Sequence, residues 1–232
     1  IVYEDEYILV IHKPAGLLTI ATEKIQRETV MFAINDYLNQ KIAARSRHAK
    51  REKRVFVVHR LDRDVSGLLL LAKTEVAKFN LQDNWEKFTK EYLAVVEGKL
   101  ESSGTISNYL EENKILRVFS SNRPVSANSK KAVSHYEVVK AGENYSLVKV
   151  RLETGRKHQI RVHLSGLGHP VAGDKDYGAK TDPAGRIALH AFRLQFIHPT
   201  TGKPLVFTLP LPPSLKRLVD APDSPGFEGP QD

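Results

Sequence analysis

The run Leu68-Leu69-Leu70-Leu71-Ala72 constrains this chain more than any other feature. Five aliphatic residues are too few to cross a membrane as a helix, which needs about 20. A short apolar run between polar residues reads instead as a strand buried inside a sheet. Two similar runs, Tyr7-Ile8-Leu9-Val10-Ile11 and Val55-Phe56-Val57-Val58, read the same way. Further strands are predicted at 91–97, 133–139, 145–153, 192–196 and 205–209. The turn Ala141-Gly142-Glu143-Asn144 joins one pair, and His198-Pro199-Thr200-Thr201-Gly202 joins another. Helices are few. Val30, Ile34, Tyr37 and Leu38 fall at helical spacing. Thr74 can cap a helix that carries Ala77, Leu81, Trp85 and Phe88 on one apolar face. Ile160, Leu164 and Leu167 mark a third helix, stopped by Gly168-His169-Pro170. Many strands, hairpin-like links and few helices predict an α+β protein with a mixed, mostly antiparallel sheet, not a doubly wound parallel fold.

The 232 residues suit one catalytic domain over 1–220, followed by a Pro- and Gly-rich tail over 221–232. The chain starts at Ile1 and its single Met is Met31, so a segment upstream is expected. Lys and Arg number 35 against 27 acids, a net charge of +8. That surplus favours a polyanion, with nucleic acid first and an anionic membrane second. No run has membrane-spanning length, so no membrane partner is expected. The absence of Cys excludes a disulfide framework, a Cys zinc site and a thiol nucleophile, and fits a cytoplasmic protein. Between Lys41 and Arg54 stand seven Lys or Arg and one Glu. Lys50, Arg51, Lys53 and Arg54 are expected to meet phosphates.

Chemistry concentrates at His59-Arg60-Leu61-Asp62-Arg63-Asp64-Val65-Ser66-Gly67, a polar loop between two apolar strands. A loop held by a rigid sheet can fix reactive groups, although a solvated turn with local ion pairs would read the same. A second cluster, 154–164, contains Arg156, Lys157, His158, Gln159, Arg161 and His163, and could equally be a basic surface helix. A third, Gly173-Asp174-Lys175-Asp176-Tyr177-Gly178, reads by itself as a turn. His-Arg-x-Asp is reminiscent of a kinase catalytic loop, but the Asn metal ligand, Gly-rich loop and Asp-Phe-Gly are missing. A zinc site from His158, His163 and His169 fails because a five-residue spacing points the first two to different sides of a helix. Ser66 lacks a nucleophile-elbow pattern.

Five segments carry a family resemblance. VHRLDRDVSGLLLLAK (58–73) and LETGRKHQIRVHLSGLGHPVAGDKDYG (152–178) closely resemble signatures of the RluA-type pseudouridine synthases. Lys13-Pro14-Ala15-Gly16-Leu17, Lys90-Glu91-Tyr92-Leu93-Ala94 and Leu189-His190-Ala191 resemble shorter ones. The likeness runs over roughly residues 1–218. It implies the fold of that family, with helices and loops around a central RNA-binding cleft. It also implies conversion of uridine to pseudouridine in a ribosomal or transfer RNA stem-loop, ribosomal first, by a monomer without cofactor or metal. By similarity Asp62 is the catalytic carboxylate, Tyr92 stacks on the target base and Arg161 pairs with Asp62. Arg60 enters the RNA stack, and Leu189 lines the uracil pocket. His59, Arg156 and His158 are expected to face RNA, His59 also orienting its loop by a hydrogen bond. Read without the resemblance, Tyr92 is a strand aromatic sharing a face with Ala94 and Val96.

The chemistry needs an ionised carboxylate. Burial disfavours that form and a guanidinium favours it, and the planar fork of Arg serves better than Lys. Asp64 is expected to pair with a nearby Arg, and Gly67 and Gly155 to meet backbone demands. The chain departs from the family pattern at Val65 and Ser134, where Thr is usual, and at Thr19-Ile20-Ala21-Thr22, which lacks the usual His or Pro. Two other functions are compatible with the residues. One is an RNA-binding assembly factor without catalysis, drawn from the basic segment. The other is a nucleoside or glycoside hydrolase, which would want two converging carboxylates, whereas Asp62 and Asp64 are expected to diverge.

Overall fold

A computed structural model describes residues 1–45 and 54–220. Lys50, Arg51 and Lys53 of the basic segment, and the tail 221–232, lie outside the described residues. The strands are β1 (Tyr3–Glu4), β2 (Ile8–Lys13), β3 (Phe56–Val57), β4 (Ser66–Ala72), β5 (Thr89–Glu97), β6 (Gly104–Glu112), β7 (Val118–Ser121), β8 (Lys130–Lys140), β9 (Tyr145–Leu152), β10 (Leu189–Ile197) and β11 (Pro204–Thr208). They form one sheet in the order β1-β2-β4-β10-β5-β9-β8-β6-β7, with β3 on β4 and β11 on β10. Pairing is antiparallel except between β4 and β10, where His190 aligns with Ser66 and Ala191 with Gly67. The sheet is therefore mixed and mostly antiparallel, as the hairpin-rich sequence implied.

The Leu68–Ala72 run lies near the middle of this sheet. Successive side chains of a strand point to opposite faces. Leu69 and Leu71 join a core with Val30, Leu38, Ile160, Leu164, Leu215 and Val219. Leu68, Leu70 and Ala72 join a second core with Ala77, Leu81, Phe88 and Phe196 on the other face. Both faces are covered, so no alternation of polar residues survives in this strand.

Four helices do the covering: α1 (Val30–Arg45), α2 (Glu75–Asp83), α3 (Gln159–Gly166) and α4 (Pro213–Asp220). The Thr29 hydroxyl accepts the Phe32 N–H at the start of α1, and Thr74 accepts the Ala77 N–H at the start of α2. α1 continues past its apolar positions into the basic segment. α2 ends at Asp83, so Trp85 is not on that helix but in a 3-10 turn, Trp85–Lys87. Sequence reading did not mark β6, β7 or α4. β6 exposes alternate polar residues and offers little apolar signal, while α4 carries Leu215 and Val219 at a spacing of four over only eight residues.

Candidate active site

The loop between β3 and β4 is clamped from one side by the segment that follows β2. Lys13 is fully buried and its Nζ donates to the carbonyls of Pro14, Leu17 and Arg63 at 2.9, 2.7 and 2.9 Å. Arg63 and Gly16 exchange hydrogen bonds, Gly16 N–H to Arg63 O at 2.9 Å and Arg63 Nε to Gly16 O at 3.1 Å. The Thr19 hydroxyl donates to Leu61 O at 2.9 Å and accepts Leu61 N–H at 3.3 Å. Residues 61 and 63 are thus fixed on either side of Asp62. Thr19, which departs from the family pattern, is one of the clamps.

His59 Nε2 accepts the Leu70 N–H at 3.0 Å, and its ring stacks on Trp85 with centroids 4.3 Å apart. Burial, reinforced by the Lys90 ammonium, pulls its pKa down to about 3, so the ring is a neutral acceptor. His59 lines the cleft while its nitrogen faces inward to hold the loop. Gly67 sits at φ +126°, and an added Cβ would lie 2.3 Å from Ala191 O. The close parallel approach of β4 and β10 beneath the loop therefore requires glycine. Gly155 has no positive φ, and an added Cβ would only touch Trp85 Nε1 at 3.6 Å. The expected backbone demand holds at Gly67 and not at Gly155.

The second polar cluster is not a basic surface helix. Gln159 to Leu164 are all buried. Gln159 Oε1 accepts the Thr154 hydroxyl and the Arg156 N–H, while its Nε2 donates to Val133 O and Ser134 Oγ. This ties the start of α3 to β8. His163 is held between Ser134 and Asn108, and His169 Nδ1 meets Glu97 O. Among the described residues no three His, Cys, Asp or Glu side chains group as metal ligands would.

Arg161 carries the geometry that joins the clusters. Its side chain is 5% exposed. Nη1 donates to Asp62 Oδ2 at 3.2 Å. Nε and Nη2 grip Asp174, whose side chain is 0% exposed, at 2.6 and 2.8 Å. Nη2 also reaches Asp176 at 3.1 Å. Burial would lower the guanidinium pKa, but Asp174 and Asp62 outweigh it and raise it. The expected Arg161–Asp62 contact is present, yet the bidentate partner is Asp174. The third cluster, read alone as a turn, supplies that anchor together with Tyr177, whose ring lies 4.8 Å from the guanidinium carbon. Their sequence signals were polarity between Gly173 and Gly178 and a place at the end of the family-like run 152–178, neither of which gave them a role.

Arg161 and Asp62 line a cleft of about 470 Å³, with Asp174, Asp176 and Tyr177 behind Arg161. Asp62, Tyr92, Leu189 and Arg161 meet within it. Val57, Gln82 and Trp85 line one part of it, and Arg156, Lys157 and His158 another. Tyr92 and Leu189 come from neighbouring strands β5 and β10. Burial first, and the Asp62 charge second, raise the Tyr92 pKa, so its hydroxyl stays protonated. Ala94 and Val96, on the same face of β5, are fully buried, and Tyr92 ends that row at the cleft. Arg60 is exposed at the cleft. Arg156 lines the cleft with its Nε on Lys131 O. His158 stands nearer the centre than a surface RNA contact would, with Nε2 3.7 Å from Asp62 Oδ2. Arg54 is exposed and does not line the cleft. Asp64 is half-buried, interacts electrostatically with Arg186, and does not line the cleft that Asp62 lines, while Lys13 feels both carboxylates.

The arrangement sets the Asp62 carboxylate, the Arg161 guanidinium and the Tyr92 ring in one cleft with further cationic and aromatic side chains. The sequence matches the family model of RNA pseudouridylate synthase over residues 7–166. The chain belongs to this family. It is 39% identical over 225 residues to the uncharacterized RNA pseudouridine synthase YhcT of Bacillus subtilis, covering 94% of this chain and 70% of that protein. It is 37% identical over 232 residues to ribosomal large subunit pseudouridine synthase D of Nitrosomonas europaea, covering 95% of this chain and 64% of that one. Among solved structures, human RNA pseudouridylate synthase domain containing 1 aligns with a TM-score of 0.68 at 28% identity, over 92% of this chain and 84% of its own. The human domain-containing 4 protein aligns at 0.72 with 24% identity, over 94% and 92%, and shares the fold. No helix among the described residues is long and apolar enough to cross a membrane.

Proposed function

We propose that residues 1–220 form a catalytic domain that converts specific uridines of structured RNA to pseudouridine, with Asp62 as the catalytic carboxylate. The reaction breaks the bond from C1′ to N1, turns the uracil and joins C5 to C1′; C5 then releases its proton to solvent and N1 takes one up, so the product is an isomer. The observation that carries the reading is the meeting of Asp62, Tyr92, Leu189 and Arg161 in one cleft. A base inside a helix cannot reach such a pocket and must flip out, at a cost of about a few kcal/mol. Arg60, exposed at the cleft, is suited to fill the vacated stack. Tyr92 offers the detached ring a face, worth about 1–3 kcal/mol in comparable base stacking. Retention matters because a free uracil would diffuse away before rejoining. Asp62 acts either on C1′ as nucleophile or on the C2′ proton to give a glycal. Ribosomal RNA is the favoured substrate, supported by relatives named for the large ribosomal subunit. Lys50, Arg51, Lys53 and Arg54, with Arg156 in the cleft, would add phosphate contacts.

The test is tritium release from ribosomal RNA transcripts labelled at uridine C5. Release by the wild type and none by Asp62→Asn is expected. No release by the wild type from any cellular RNA, or equal release by the variant, would refute the reading.

A further inference from the structure

His158 holds a backbone conformation uncommon outside glycine, one that His, Asn and Asp enter more readily than other residues. Its backbone lies at φ 54°, ψ 17°, left-handed, at the residue preceding α3. Asn or Gly would take this conformation more cheaply, and such outliers gather at functional sites. The hydrogen bonds around it form a directed chain. The Tyr177 hydroxyl accepts the Val118 N–H at 3.2 Å. Its own proton then has one acceptor among the described residues, His158 Nδ1 at 2.8 Å. With Nδ1 accepting, the proton of a neutral imidazole sits on Nε2, the nitrogen 3.7 Å from Asp62 Oδ2. Arg161 Nη1 donates to that same oxygen. Among the described residues nothing bonds to Oδ1.

We propose that His158 is a positioning residue whose Nε2–H, in a tautomer set by Tyr177, holds Asp62 so that Oδ1 is the oxygen presented to the flipped nucleotide. At 3.7 Å the contact is electrostatic and not yet a hydrogen bond. Catalytic contacts of this kind close when substrate fills the site. Burial first lowers the His158 pKa. Arg161 and Lys157 lower it further, while Asp62 and Asp174 oppose. The ring is therefore neutral near pH 7 and has one proton to give.

The inference rests on the functional reading above, and His158→Asn and His158→Gln test it. Asn tolerates the left-handed backbone and imitates Nδ1, but offers no group at the Nε2 position. Gln extends its amide to that position. Single-turnover tritium release at saturating RNA and RNA affinity by filter binding are measured on the same labelled transcript. His158→Asn should be slower by about ten-fold or more, the loss of one hydrogen bond to a charged group. His158→Gln should stay within about three-fold of wild type, with affinity unchanged in both. Tyr177→Phe, which keeps the ring and removes the hydroxyl, should also slow the step. Wild-type rates in His158→Asn and Tyr177→Phe overturn the proposal. So does equal slowing of His158→Asn and His158→Gln, which marks a merely structural role. Weaker RNA binding with an unchanged rate makes His158 an RNA contact and overturns it too. A wild type that releases no tritium removes the functional reading and this inference with it. An active wild type beside unaffected variants overturns this inference alone.

Discussion

Asp62→Asn and Asp174→Asn should separate catalysis from scaffold, because Arg161 treats the two carboxylates differently. Asp174 is 0% exposed and takes two guanidinium nitrogens, at 2.6 and 2.8 Å. Asp62 is 32% exposed and takes one, at 3.2 Å. Removing one partner of a buried ion pair costs about 3–5 kcal/mol, since the other charge is left uncompensated. Here Asp62 and Asp176 remain beside Arg161, but Asp176 is 75% exposed and screened. That places Asp174→Asn near the lower end, about 3 kcal/mol. For a protein of this size each kcal/mol shifts Tm by about 2–4 °C, so a drop of roughly 6–12 °C is expected. The half-exposed, single contact of Asp62 is worth about 1 kcal/mol or less. Asp62→Asn should therefore abolish tritium release while melting within about 4 °C of wild type. Calorimetry and the release assay on the same preparations give both values. If Asp174→Asn melts with the wild type, or Asp62→Asn melts lower than Asp174→Asn, the assignment of Asp174 as the anchor of Arg161 is refuted.

Gly67→Ala should destabilise by about 3 kcal/mol or more, because the new Cβ meets backbone 2.3 Å away at a positive φ. Urea unfolding checks this, and a loss under about 1 kcal/mol would show that the strands can separate there. His163 and His190 are buried, and burial is the first cause that lowers each pKa to about 4. Their folded values lie below the unfolded 6.5, so between those limits the unfolded chain binds protons that the native one refuses. Stability is fully present above about pH 6.5 and falls with pH across that window, by at most about 2.7 kcal/mol per pH unit for the two groups. Urea titrations at several pH values check the sign, and constant stability from pH 7 to 4.5 would contradict it. Neutralising Lys50, Arg51, Lys53 and Arg54 together should weaken RNA binding and flatten its dependence on salt. An unchanged slope would remove the segment from the RNA interface.

The sheet was legible wherever apolar runs were dense, and the reason is visible in β4. Leu69 and Leu71 face one core and Leu68 and Leu70 the other, so burial on both sides wrote itself directly into composition. β6 and β7 left no such mark. β6 pairs with β8 and β7 with β6 through backbone hydrogen bonds, while many of their side chains face solvent. The parallel pairing of β4 with β10 was also invisible, because Ser66 and His190 are 124 positions apart and no local pattern encodes who lies beside whom. Trp85 misled for a related reason. Its spacing from Leu81 is helical, but Asn84 closes α2 and turns the indole onto His59.

The site divides along the same physical line. Asp62 stood out because a carboxylate amid guanidiniums and an imidazole between two apolar strands is locally unusual. Arg161 and Tyr92 gained roles only through the family likeness, since spacing alone gave a surface helix and a core aromatic. Asp174 and Lys13 lie within family-like segments, yet neither route gave them a role. A carboxylate between turn residues looks solvated until Arg161, 13 positions earlier, folds over it. A lysine beside Pro14 looks exposed until three carbonyls from two loops converge on its ammonium. Neither cation–anion gap nor carbonyl cluster exists before the chain folds. What sequence conveys about this site is therefore its reactive group, while the groups that hold it still are defined by contacts across 11 to 99 residues. Positioning residues found this way are where substitutions should slow the reaction without touching the RNA.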